Sequence, residues 1–137
     1  MVSTKVDLNS SRVARVQDLD ELAAILFPGN RNHQKLFLII FVKLKWADNQ
    51  FLPALEPIAA KHGFSRRALE TVRAKMRRLG VIDHVSRFNK RYGYREGWVF
   101  SRRFERGLAR FAQRVASLRA DRRPGRDRKD RDCILYV

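Results

Sequence analysis

The apolar positions of this chain fall into short periodic runs punctuated by Gly, Pro and Asn. "DLDELAAILF" (18–27) opens on Asp18 with Glu21 three residues on, the spacing of a capping box, and predicts a short helix broken by "PGN" (28–30). "HQKLFLIIFVKLKWA" (33–47) is apolar nearly all round. Such a run fits a buried strand or a buried helix, and its length favours the helix. That helix would need cover from its own domain on one side and from a terminal helix or second chain on another. "LPALEPIAAKHG" (52–63) predicts a further helix with Leu55, Ile58 and Ala59 inward, Pro57 tolerated near its first turn and Gly63 as its stop. Only Gly63-Phe64 separates it from residues 65–79, where Ser65 is a helix cap and Leu69, Val72, Met76 and Leu79 share one face.

After Gly80 the pattern changes. "VIDHVSRF" (81–88) and "WVFS" (98–101) predict two strands, and "NKRYGYREG" (89–97) joins them as a long basic, aromatic hairpin tip. Phe104, Leu108, Phe111, Val115 and Leu118 then step by four and three along a last helix of about twenty residues. This seam can fold back on the 33–47 helix or pair with a second chain, and we expect a homodimer. Residues 1–17 read as a flexible polar arm. "RRPGRDRKDRD", from Arg122, reads as part of a disordered basic tail (122–137) that closes on an apolar "CILYV". The expected class is mainly α with a small β-hairpin (α+β), one domain over residues 18–121.

The order of elements, and above all "TVRAKMRRLGVIDHVSR", resembles the winged helix-turn-helix domains of bacterial and archaeal transcription regulators. In that family the third helix ends on Gly, two aliphatic residues open the first wing strand, and a hairpin follows. The resemblance spans residues 33–101. Dimeric members of the multiple-antibiotic-resistance and phenolic-acid-repressor types add flanking helices, a place that residues 18–27 and 102–121 would fill. It implies a double-stranded DNA partner, a third helix that reads the major groove, and a hairpin that acts as a wing.

Charge points the same way. Thirty basic residues face fourteen acidic ones, a net of +16 with pI near 11.3. Residues 61–110 hold fifteen basic and four acidic residues, net +11, so the excess lies in the patterned middle and not in a tail. A body this basic gathers polyanions: nucleic acid first, an anionic membrane second. On the third helix, Arg67, Glu70, Thr71, Ala74 and Arg78 lie opposite the apolar face. There Arg67 would fork onto guanine O6 and N7, and Thr71 and Ala74 would meet a thymine methyl. Ser65, Arg66, Arg73, Lys75 and Arg77, at the start and flanks, are expected to lie along the phosphates.

The hairpin offers Arg87, Asn89, Lys90, Arg91, Tyr92, Tyr94 and Arg95 to the backbone or minor groove. Phe88 is expected to pack on the sheet, leaving Tyr92 and Tyr94 outward. Stacking of these rings on unpaired bases would instead favour RNA or single strands. A low-specificity replication or architectural factor and a protein-interaction or membrane-surface module are the competing readings. Enzymatic, metal and cofactor chemistry find little support. His33, His62 and His84 are far apart, and neither a phosphate-cradling glycine loop nor a serine elbow is present. The lone Cys133, a polar N-terminus and a longest apolar run of only Leu36–Val42 lead us to expect a cytoplasmic, nucleoid-associated protein without membrane spans.

Overall fold

The computed structural model describes residues 3–136. The chain divides into two compact units, Met1–Phe104 and Glu105–Val137. In the first, the described residues form helices α1 (Ser10–Ala14), α2 (Leu19–Leu26), α3 (Arg31–Trp46), α4 (Glu56–Lys61) and α5 (Arg66–Leu79), and strands β1 (Phe51–Leu52), β2 (Ile82–Val85) and β3 (Gly97–Phe100). Helix α6 (Arg103–Ala120) starts at the end of this unit, and α7 (Arg126–Ile134) follows it in the second. The class is thus mostly helical with a small antiparallel sheet, of order β1-β3-β2.

Local chemistry sets the helix ends. Asp18 Oδ1 accepts from the Glu21 N–H at 3.1 Å and starts α2. Asn30 Oδ1 accepts from the His33 N–H at 3.0 Å, so α3 begins at Arg31, ahead of its apolar run. Both α4 and α5 end in a left-handed glycine with the paired bonds of a Schellman motif. At Gly63 (φ +77°) the bonds are Phe64 N–H to Ala59 O and Gly63 N–H to Ala60 O; at Gly80 (φ +88°) they are Val81 N–H to Met76 O and Gly80 N–H to Arg77 O.

The core sits where α2, α3, α4 and α5 meet the sheet. Leu36, Phe37, Ile40 and Leu44 of α3 and Leu69, Val72 and Met76 of α5 are essentially fully buried, together with Leu55 and Ile82. The other side of α3 is not covered as its composition suggests: Trp46 is 77% exposed and Val42 is also exposed. Residues 52–63 do not form one helix. Phe51 and Leu52 pair with Val99 and Trp98 of β3, and α4 begins only at Glu56, with Pro57 in its first turn.

Two segments expected to be unstructured carry helices among their described residues. The arm of residues 1–17 is tied down from Lys5 onward. The Asp7 N–H donates to Ile25 O at 2.9 Å, Val6 and Val16 pack on the core, and Asn9 caps α1. The basic tail forms α7, because its charges alternate at helical spacing: Arg126 pairs with Asp130 at 3.2 Å and Arg131 with Asp127 at 3.0 Å. Asp121 closes the preceding turn, and its hydrogen-bonded Arg123 guanidinium pulls its pKa down to about 2. No helix among the described residues is long and apolar enough to cross a membrane.

Candidate nucleic-acid interface

Helix α5 is held at both ends. The Ser65 hydroxyl accepts from the Ala68 N–H at 3.1 Å, and Gly80 is clasped by the start of α6. There the Phe104 N–H donates to Gly80 O at 3.0 Å, while Arg103 donates to Arg77 O at 3.1 Å and pairs with Asp83 at 2.5 Å. Arg103 therefore locks the C-terminus of α5 to β2. Its role carries no local signal in the sequence, where it is one arginine among many.

The outward face of α5 is open. Arg67, Glu70, Thr71 and Arg78 are exposed and Ala74 is half-buried. The Thr71 hydroxyl donates to Arg67 O at 3.0 Å, which satisfies its own polarity and leaves the methyl as its outward chemistry. Arg66 pairs with Glu70 at 3.3 Å, but both side chains are solvated and such a pair is worth only about 0.5 kcal/mol. Arg67, Arg77 and Arg78 form no ion pair among the described residues. A groove of about 770 Å³ runs beside this face, with Ala74, Arg77 and Arg78 on one wall and Asp83, Trp98 and Arg103 on the other.

Two residues expected at the phosphates are engaged elsewhere. Lys75 is buried. Its Nζ donates to Lys5 O at 2.6 Å and lies 4.6 Å from the centre of the Phe27 ring. Burial lowers its pKa from the ordinary 10.5. The spacing was readable: Lys75 is three residues after Val72 and four before Leu79, both on the apolar face. Arg73 donates to Glu56 at 2.6 Å and stands 5.5 Å over the Trp98 ring, with its side chain only 24% exposed. That bond holds the Glu56 pKa below its ordinary value.

The β2–β3 hairpin carries the second basic surface. His84 pairs across it with Glu96 at 3.2 Å and meets the Trp98 ring edge-on at 4.9 Å. In the loop, Asn89 is a scaffold residue: its Oδ1 accepts from the Arg91 N–H at 3.0 Å. The rings reverse the expected arrangement. Tyr92 stacks on Phe51 at 5.9 Å, because β1 places that ring under the loop, whereas Phe88 is 78% exposed. Tyr94 is outward as expected, and Arg87, Lys90, Arg91 and Arg95 are exposed. Along α6, Phe104 is packed on the core, while Leu108, Phe111, Val115 and Leu118 are 41–61% exposed.

Searches of protein-family models, of curated proteins and of solved structures found no match to this chain.

Proposed function

We propose that this protein is a sequence-specific double-stranded DNA-binding regulator of winged helix-turn-helix type, acting as a homodimer. Helices α4 and α5, joined by the Gly63 turn, are its helix-turn-helix, and the β2–β3 loop is its wing. The observation that carries the reading is the open outer face of α5, a helix capped at both ends with Arg67, Arg77 and Arg78 in no ion pair among the described residues. A major groove about 12 Å wide admits such a helix. Arg67, Glu70, Thr71, Ala74 and Arg78 are then the base-facing set. Ser65, Arg66 and Arg77 contact phosphates, as do the wing residues Arg87, Lys90 and Arg91. Neither Arg73 nor Lys75 belongs to the phosphate set. The dimer forms through the exposed Leu108, Phe111, Val115 and Leu118 stripe, whose alternating spacing of four and three matches a coiled-coil seam.

Selection from a random duplex pool, followed by binding across a salt series, tests the reading. An enriched motif is expected. Arg67→Ala should cost about 1–3 kcal/mol on that motif and relax its preference, whereas Lys90→Ala should weaken all sequences alike and lower the salt slope by about one. Failure to retain duplex at low salt would remove the proposal; retention without an enriched motif would remove its specificity.

A further inference from the structure

The wing loop holds a feature that phosphate binding does not use. Phe88 and Tyr94 are 78% and 61% exposed, side by side with cations, in a loop that had an alternative. Tyr92, from the same loop, is folded onto Phe51, so the segment can bury a ring where burial is the outcome. Two large rings left in water among cations on an otherwise polar loop are flat faces open to a stacking partner.

The loop backbone beside Tyr94 is also tightly set. Gly93 and Tyr94 both take left-handed backbone angles, φ +67° and +59°, a conformation unfavourable for an aromatic residue and kept only where the surroundings impose it. Here the Tyr94 N–H donates to Asn89 O at 3.1 Å, and the Asn89 side chain caps the turn Lys90–Tyr92. Below the tip, Tyr92 and Arg95 both rest on the buried Phe51 ring, Arg95 at 4.5 Å. That ring in turn lies so close over Gly97 that a side chain there would collide with it. The loop backbone that carries the rings therefore stands on a base set by Asn89 and Phe51, which lowers the cost of ordering the tip on binding.

The chemistry of the occupant follows from the surroundings. The Arg87 guanidinium stands 5.3 Å over the Phe88 ring, and Lys90, Arg91 and Arg95 surround the tip. The loop's one carboxylate, Glu96, lies 3.2 Å from His84 at the base of the hairpin and is outnumbered by these four cations. The partner is thus anionic outside and flat and apolar within. Residues 86–96 contain no Leu, Ile, Val or Met, the aliphatic groups that a lipid-inserting loop would use. Rings alone, framed by cations, fit stacked bases behind phosphates.

We propose that Phe88, supported by Tyr94, is a stacking wedge: the wing tip enters the minor groove, inserts the Phe88 ring between adjacent base pairs and bends the duplex. This rests on the DNA-binding reading above. The test uses the full chain and an end-labelled duplex carrying 2-aminopurine, with bending read by energy transfer and unstacking by 2-aminopurine emission. Wild type should bend the duplex by roughly 20–90° and raise the emission. Phe88→Ala with Tyr94→Ala should bind roughly five- to a hundredfold more weakly, with bending and emission lost and the salt slope kept. Lys90→Ala should lower the slope and keep the bend. Unchanged far-ultraviolet dichroism and melting would show that the variants fold.

Duplex binding by wild type with no bend or emission change would overturn the wedge and leave the DNA reading intact. A double variant that bends like wild type would do the same. No duplex binding at all would overturn both, and ring-dependent binding to anionic phosphatidylserine vesicles in its place would identify a lipid surface as the occupant.

Discussion

Lys75 separates two accounts of α5 more sharply than any other residue. As a cation on a DNA-binding helix it would contact phosphate; its position makes it a core strut, with its Nζ on Lys5 O and the Phe27 ring. Lys75→Ala removes three buried methylenes, worth about 2.4 kcal/mol at roughly 0.8 each. It also removes a charged hydrogen bond of about 1.5–3 kcal/mol and a ring contact of about 1 kcal/mol. Against this, the fold no longer has to desolvate an ammonium group, which offsets much of the polar part. The expected net loss is about 3 kcal/mol. Lys75→Met keeps the stem and should stay within about 1 kcal/mol of wild type.

Urea denaturation measures both variants, and the slope m should not change. Duplex affinity and its salt slope should match wild type once the folded fraction is equal. Because the folded state binds this proton more weakly than the unfolded chain, wild type should gain on Lys75→Met as pH rises from the lowered value towards 10.5. If Lys75→Ala melts with wild type, or lowers the salt slope by the ~0.9 expected per phosphate, the strut account is wrong.

Gly80→Ala forces a left-handed alanine, at about 1–2 kcal/mol, and puts its Cβ 2.8 Å from Arg103 Cβ and 3.0 Å from the Phe104 backbone N. Since backbone cannot swing aside, the total loss in a thermal melt should exceed 2 kcal/mol by roughly another 1. Glu56 has a folded pKa below its ordinary 4.5, so its pairing with Arg73 stabilises fully above that value and is lost as pH falls through the lowered one. Glu56→Gln should flatten this part of the acid limb, and it should steepen the salt dependence of duplex binding by freeing Arg73. An unchanged acid limb counts against the pair. On α6, Phe111→Glu should make the proposed dimer a monomer in light scattering and remove the dependence of the melt on protein concentration, while leaving the fold of the single chain intact, because Phe111 is 61% exposed there. A wild type that is monomeric at every concentration would refute the seam.

What the sequence determined on its own is whatever acts within about one helical turn. Ser65 three residues before Ala68, glycine at 63 and 80, and the Leu69, Val72, Met76 stripe specify α5, its ends and its inward face without reference to the rest of the chain. The hairpin follows as directly, from two short apolar runs and a turn-rich loop. The open face of α5, with Arg67 and Arg78 outward, was therefore legible. Tertiary structure decided everything whose partner is distant. Strand β1 is two residues long and exists because β3 offers its edge; before that pairing, Leu52 is indistinguishable from the start of a helix. Lys75 finds its acceptor seventy residues away in an arm that looks structureless by composition. Arg73 is claimed by Glu56 on the neighbouring helix, and Phe51 takes Tyr92 and leaves Phe88 in solvent. Periodicity tells which way a side chain points, but only packing tells what it meets there, and burial of a charge or exposure of a ring is settled by that meeting.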